Sequence, residues 1–555
     1  MSLMSGLYVG TSGLQTGQNA LNTTAHNLSN IETSGYTRQQ VYLQDQIYAN
    51  TGMASVSKMQ TGLGVEYGQV RQVRDFFLDK AYRKESGRSA FYDVWYESTS
   101  EIETLLGEFD GVAFQDTLSK LWTSVQELQK DPASAVTEGA FVNTSAQFVE
   151  RAQAVYNGLS NFQDNLNSRI VKYIDRINEL GDSIVALNEA IMKEEFGEQK
   201  ANDLRDLRNS ALDELSTLVN MSYFSNADGG IEVMVEGTLF VARDRAFHME
   251  AQMDEGTGFY TPIWPHNEKT PVFDMAQEIS TDFDTDIGQL KAILLARGDR
   301  RANYTDVANK NSDGDYIYNE GFETAAGRKY MATSSSIVMS LQAELDNMVH
   351  DMVVKVNDIL TKETNLKPDE RKYSSAEDCP LELFVRLGTE RYKKNGTDFE
   401  YVTEDTSKSP VNVDTMYTIS NLKINAELLK TPTLMANGFL TDDKKVAQDI
   451  ADAIADAFSD KFGTLNPNLS QKYNYEDFYA AMVGQVATTG SIYHSMVAAQ
   501  DVAVKQLDDG RQAVAGVSSN EELQNMIKYQ NAYNAASRYI TTCNDMLGHL
   551  LEKLG

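Results

Sequence analysis

Cysteine is almost absent: Cys379 and Cys543 are the only two in 555 residues. Two thiols cannot build a disulfide framework, and with no Cys-x-x-Cys pair and no Cys/His cluster there is no zinc site. Positive charge is scarce as well. Lys and Arg number 49 against 80 Asp and Glu, a net charge of −31, so the average surface repels phosphate and anionic lipid and nucleic acid is excluded as the main partner. Long apolar runs are missing from the start of the chain. In residues 1–31 Ser, Thr, Asn, Gln and Gly fill 18 positions and no apolar stretch exceeds three, which rules out a Sec signal and a membrane span there. Histidine is rare, at His26, His248, His266, His350, His494 and His549. No His-Glu-x-x-His, Gly-x-Ser-x-Gly, P-loop or Gly-x-Gly-x-x-Gly occurs, so neither catalysis nor a cofactor is expected.

What remains is an ordinary globular composition, 41% hydrophobic, long enough for about three or four domains. The charge is uneven. Residues 1–44 carry one Glu and one Arg, and residues 490–555 carry five basic and seven acidic groups. Nearly all the negative charge therefore sits between them, which suggests that the ends meet protein and the middle meets water.

The ends also carry the clearest periodicity. Met526, Tyr529, Tyr533, Ala536, Ile540, Cys543, Leu547, Leu550 and Leu554 follow one another at alternating steps of three and four, the spacing of a coiled-coil seam. At the other end Leu7, Leu14, Leu21 and Leu28 recur every seven residues, beside a row of mostly small residues at Leu3, Gly10, Gly17, Thr24 and Ile31. Glycine inside a helix costs about 1 kcal/mol relative to alanine. Gly6, Gly10, Gly13 and Gly17 therefore predict a helix that needs a partner, with small residues that let backbones approach closely. Cys543, inside the stripe, reads as a small buried hydrophobe. An amphipathic helix packed on its own domain is the alternative for each stripe.

Between the ends, residues 84–130 and 140–220 have helical spacing, as in Ile170, Ile174, Ile177, Ile184, Leu187 and Ile191. From Met221 the pattern turns to strands. Ile231, Val233 and Val235 follow Asp228-Gly229-Gly230, and Leu239 to Val241 follows a turn at Glu236-Gly237. Helices are expected at Asp286 to Arg297, Ser334 to Leu360, Asp443 to Phe458 and from Phe478 to the end, and strands at Leu383 to Leu387 and Tyr417 to Ile419. Arg297-Gly298-Asp299 spells an adhesion tripeptide, but its place fits a helix end capped by Gly298. Asn309, Asn311, Asp313 and Glu320 fall at oxygen-ligand positions of an incomplete EF-hand-like loop for Ca²⁺. An Asx-Gly turn explains the same residues, and no metal is assigned.

His26-Asn27-Leu28-Ser29-Asn30 followed by Thr33-Ser34-Gly35-Tyr36-Thr37-Arg38-Gln39 resembles the shared signature of bacterial flagellar rod, hook and hook-associated proteins. Asn27, Asn30 and Thr33 can bond their own backbone, Gly35 can take a positive φ and Tyr36 can cover the turn, so the motif reads as a helix stop and chain reversal. Gly62-Leu63-Gly64-Val65-Glu66, Arg74-Asp75-Phe76-Phe77-Leu78, Asp203-Leu204-Arg205-Asp206-Leu207-Arg208 and Gly516-Val517-Ser518 with Glu521-Glu522 agree with it. So does Tyr529-Gln530-Asn531-Ala532-Tyr533. The motif residues are thus Asn27, Asn30, Gly35, Tyr36, Arg38, Tyr529, Gln530 and Tyr533.

The Gly-Tyr-Thr-Arg-Gln form is most similar to the members that join hook to filament. That resemblance implies a structural protein of the extracellular flagellum, exported through the flagellar type III channel. It would polymerise as a ring through Leu7, Leu14, Leu21, Leu28, Met526, Tyr529, Tyr533, Ile540, Leu547, Leu550 and Leu554. Implied partners are further copies of itself, the hook protein, hook-associated protein 3 and an export chaperone on the C-terminal helix. A hook or rod protein, or a flagellum-borne adhesin or enzyme active within residues 225–470, is the alternative.

The expected fold is mixed α and β, with long terminal helices pairing as a coiled-coil-like core and a β-rich multi-domain insertion in the middle. The expected division is 1–45 with 520–555 as a terminal helical core, 46–220 with 471–519 as a helical rod domain, 221–332 as a β-rich outer domain and 333–470 as a mixed outer region.

Overall fold

Helix dominates wherever breakers are few. The computed structural model describes residues 3–554 except 34, 47, 51–59, 108–112, 198–199, 276, 308–332, 406–412, 439–446 and 466–470. The first helix, α1, is Leu3–Ser29. A long hairpin follows, in which β1 (Gln39–Asp45) pairs antiparallel with β4 (Val65–Gln72), and the short β2 (Ala49–Asn50) and β3 (Gln60–Thr61) extend it. Asp75 then caps α2 (Phe76–Leu106), accepting bonds from the amides of Phe77 and Leu78, and Gly107 ends that helix at φ 48°.

Helix α3 is Phe114–Lys130. Ser134 caps α4 (Ala135–Glu195), whose 61 residues reach about 90 Å at 1.5 Å per residue. Its isoleucines 170, 174, 177, 184 and 191 are all buried at helical spacing, and α5 (Asn202–Leu218) packs beside it.

The strand pattern beyond Met221 forms a meander of β5 (Met221–Ser225), β6 (Ile231–Val235) and β7 (Thr238–Val241). Ile231, Val233 and Val235 point inward on alternate positions. The β6–β7 turn has positive φ at both Glu236 (47°) and Gly237 (76°), the hand that matches strand twist. A second sheet joins β8 (Glu250–Met253), β9 (Tyr260–Trp264) and β10 (Thr270–Pro271). After it come α6 (Gln289–Arg297) and α7 (Ile337–Leu360).

Short strands β11 (Lys372–Tyr373), β13 (Tyr392–Asn395) and β14 (Asp398–Tyr401) form one small sheet. The pair β12 (Phe384–Arg386) and β15 (Leu422–Ile424) forms another. Helices α8 (Ala426–Lys430), α9 (Gln448–Ser459), α10 (Tyr475–Ala515) and α11 (Ser519–Leu554) complete the chain.

The strand expected at Tyr417 to Ile419 does not form. The amides of Tyr417 and Ile419 are taken by the carboxylates of Glu404 (2.8 Å) and Asp346 (2.7 Å) instead of a neighbouring strand, and a tight turn, Ile419–Asn421, follows.

Two apolar cores are strung along α4. Phe141 to Leu159 pack with α3, α7, α9 and the start of α10, while Leu166 to Ile184 pack with Phe91 and Trp95 of α2, α5, β6 and α6. Helix α10 lies along α2, with Tyr493 stacked on Trp95 at 5.1 Å. Among the described residues no helix is long and apolar enough to cross a membrane.

Candidate assembly site at the paired termini

Helix α1 runs antiparallel to α11, and its small residues make the contact. A Cβ on Gly6 would lie 3.1 Å from Cys543 Sγ, one on Gly10 2.5 Å from Ile540, one on Gly13 3.3 Å from Ala536 and one on Gly17 3.4 Å from the Tyr533 backbone. Glycine therefore sets the helix separation. Gly10, Thr16, Gly17, Ala20, Thr24 and Asn27 are the buried positions of α1, and Leu7, Leu14, Leu21 and Leu28 flank them half-buried.

On α11 the face toward α1 carries the sequence-predicted stripe. Met526, Tyr529, Ile540 and Leu547 are half-buried and Cys543 is 3% exposed, whereas Tyr533 and Leu550 remain exposed, as does Gln530. Leu554 closes the helix. Large apolar side chains also remain exposed on the pair: Tyr8, Leu523, Ile527, Met546 and Leu551, and Tyr539 beside the glycines of α1. So much exposed apolar surface on one helix pair marks a contact surface.

The helix stop after α1 is the centre of a polar node. Asn27 is buried and uses its whole amide. Its Nδ2 donates to the Gln39 carbonyl (2.8 Å) and to Glu522 Oε2 (3.2 Å), and its Oδ1 accepts from Tyr36 Oη (2.8 Å) and the Gln39 amide (3.0 Å). Asn30 Nδ2 closes the helix end on the His26 carbonyl at 3.0 Å, and Gly35 takes φ 78°. Arg38, the only Lys or Arg in the first 44 residues, donates to Glu522 (2.9 Å) and Glu521 (2.7 Å), and its amide bonds the Ala515 carbonyl. The N-terminal motif is thereby fastened to both C-terminal helices.

Helix α5 enters from the other side. Asp206 accepts from the Thr37 amide (3.1 Å) and hydroxyl (2.6 Å), and Arg74 reaches the same carboxylate at 3.6 Å. Arg74 also makes a two-pronged pair with Asp79, which Arg511 of α10 shares at 3.1 Å while bonding Asp213 at 2.8 Å. Burial holds the Asp206 carboxyl above its ordinary range, against the pull of Thr37 and Arg74. Burial, then Asp203, Asp206 and Glu522, push the Tyr36 hydroxyl up, so it stays a donor to Asn27.

The structure therefore brings Asn27, Gly35, Tyr36 and Arg38 together and leaves Tyr529, Gln530 and Tyr533 further along α11. Asp206 and Glu522 lie in segments the sequence had marked, without a partner assigned to either, whereas Asp79 and Arg511 are members of the node that the sequence did not single out. The lone Arg38 in a nearly neutral terminal segment signals the need for an acidic partner, which Glu522 supplies. The calcium candidate Asn309, Asn311, Asp313 and Glu320 lies outside the described residues, and among the described residues no cluster of His, Cys, Asp and Glu could hold a metal ion. The adhesion tripeptide is built into the fold: Gly298 caps α6 at φ 79°, and Arg297 is buried, donating to Asn167 and the Tyr260 carbonyl.

Known proteins match the two ends and the body separately. Residues 7–37 match the family described as flagella basal body rod protein, and residues 509–552 match the flagellar basal body rod FlgEFG protein C-terminal region. These are the segments that form the helix pair and its node. The chain is a structural protein of the bacterial flagellum, of the rod and hook class, and so part of an extracellular assembly.

Residues 99–371 match the flagellar hook-associated protein FlgK helical domain. The flagellar hook-associated protein 1 of Bacillus subtilis is 24% identical over 100% of this chain and 99% of its own length. Those of Salmonella typhimurium and Escherichia coli are 23% and 21% identical over 98% of both chains. A solved structure of the flagellar hook junction protein FlgK from Burkholderia pseudomallei superposes with a TM-score of 0.48 at 11% identity, covering 78% of this chain and 100% of that one. The chain belongs to the flagellar hook-associated protein 1 family, and it associates with other hook components.

Proposed function

We propose that this protein joins the hook to the filament by polymerising as a ring at the distal hook end. The observation that carries the reading is the α1–α11 pair: its inner face is closed by glycines, while its outer faces expose Tyr8, Leu523, Ile527 and Leu551. Burying those side chains between neighbouring subunits, at roughly 25 cal/mol per Å², would drive assembly. The glycine-weakened α1 suits export of an unfolded chain through the flagellar type III channel, with an export chaperone holding the C-terminal helix until a template is met.

On this reading residues 1–45 with 520–555 form the terminal core, 46–220 with 471–519 the rod-like helical domain, and 221–332 and 333–470 the outer regions. The hook protein lies on one side and hook-associated protein 3 on the other. The role is architectural, without catalysis. Electron microscopy of a deletion strain tests it: hooks without filaments are expected, and loss of the hooks themselves would assign the chain to the hook or rod instead.

A further inference from the structure

A cavity of about 380 Å³ opens between β4, α5 and the β5–β6 hairpin. Its charge is the reverse of the protein's. Among the described residues Arg71, Arg74, Lys200, Arg205 and Arg208 line it with Asp79 as the one carboxylate, in a chain whose net charge is −31. Some of these cations are already neutralised. Arg74 is held by Asp79, and Lys200 and Arg205 share Glu195 at 2.8 and 2.6 Å.

Arg208 is not neutralised in this way. It is 5% exposed, its Nη1 donates only to the neutral Asn188 Oδ1 and Gly229 carbonyl, and its Nε has no partner among the described residues. Burial and the neighbouring Arg205 push its guanidinium down to about 10. A buried cation without a bonded counter-charge is costly. The N-terminus of α5 points the same way: Ala201 gives it no side-chain cap, and although Asp203 stands in its first turn, it places Arg205 and Arg208 in the first two turns, at the end of a helix dipole that favours anions.

The rim is aromatic. Phe76, 51% exposed, lines the cavity with its ring edge-on to Tyr223 at 5.6 Å, and Phe77 and Phe224 beside them are 81% and 59% exposed. A neighbouring cavity of about 250 Å³ shares Phe76 and Tyr223 and adds Lys80, together with Lys84 in an ion pair with Asp284 at 2.8 Å. The excess of positive charge, with Arg71 exposed at the mouth, beside bare phenylalanines forms a surface suited to an acidic protein segment, with the rings supplying apolar contact and the cavity supplying charge.

We propose that this cationic cavity and its phenylalanine rim receive acidic side chains from a second copy of this chain. The inference rests on the polymerising reading above, and charge complementarity selects the occupant: copies carrying 80 carboxylates each repel one another in a ring unless a basic surface is offered to the neighbour. The rest of the acidic body supplies the carboxylates.

The test is photo-crosslinking in flagellated cells. The full chain carries p-benzoylphenylalanine at position 77 and is expressed beside the wild-type chain, so that flagella form in every case. The expected product is a crosslinked dimer of this chain in isolated flagella, lost when Arg71→Glu and Lys200→Glu are added, since both side chains are exposed. A crosslink only to another flagellar protein, no crosslink, or a dimer that survives the double charge reversal overturns the proposal. Failure of the junction reading is seen separately, as filaments that persist in the deletion strain.

Discussion

Asn27 and Glu522 stand 495 positions apart, and their side chains meet at 3.2 Å where α1 ends and α11 begins. The bond ties the first helix to the last at one end of the antiparallel pair. Asn27 makes three further bonds inside the turn, so its amide has no spare capacity.

Asn27→Ala removes all four bonds and strands Tyr36 and the Gln39 backbone. The expected cost to this local unit is about 2 kcal/mol, because a buried polar group left unpaired loses its desolvation offset. Asn30→Ala, at a less buried position whose Nδ2 bonds the His26 carbonyl, should cost well under half of that. Amide exchange in residues 3–29 and 519–554 reports the difference, and equal protection in the two variants would refute the central role of Asn27.

The glycines make a prediction of opposite sign at two sites. Alanine favours helix over glycine by about 1 kcal/mol, and a Cβ on Gly548 would have nothing within 4 Å, so Gly548→Ala should raise protection of α11. At Gly10 the same methyl meets Ile540 at 2.5 Å, and Gly10→Ala should push the helices apart and lower protection in both. Stabilisation by Gly10→Ala would mean that the seam is looser than the geometry requires.

The stripe on α11 was legible because a 3.5-residue spacing survives in the sequence whatever the partner is. The β6–β7 hairpin was legible for a similar reason, since Glu236-Gly237 announces its own turn. On α1 the leucines draw the eye, yet the small row beside them faces α11, because only Gly, Ala and Thr let two helices come this close. The node could be read only in part. Thr37 meets Asp206 across 169 positions, and no local pattern encodes such a pairing. The missing strand at Tyr417 has the same cause, since Glu404 and Asp346 arrive from elsewhere in the chain.

Glu344 predicts a pH dependence. Buried on α7, its carboxyl is raised by desolvation from 4.5 to about 8. Between those values the folded chain keeps a proton that the unfolded chain has lost, so stability falls as pH rises through the window. Burial raises Glu236 to about 7 and Asp346 to about 6, which adds in the same direction. Glu344→Gln removes one contribution and should raise Tm at pH 8 by several degrees more than at pH 4.5. Calorimetry at the two pH values decides, and an identical shift at both would show that the Glu344 carboxyl is not raised in the folded chain.

Position on α11 should matter more than composition. Leu547 is half-buried on the face toward α1, whereas Asp545, two residues earlier and about 160° away around the helix, is exposed and already tolerates charge. Leu547→Asp puts a carboxylate in the seam, where desolvating it without a partner costs several kcal/mol. Asp545→Leu leaves that seam alone. Cells carrying Leu547→Asp are expected to make hooks, lose filaments and shed flagellin into the medium, while cells carrying Asp545→Leu swim. A chaperone acting on the same helix would change export as well as assembly, so the secreted amount of each variant has to be measured beside the filament count. Normal secretion of Leu547→Asp with intact filaments would remove this face of α11 from the assembly surface, and the exposed side of the pair, at Leu523, Ile527 and Leu551, would then have to carry it.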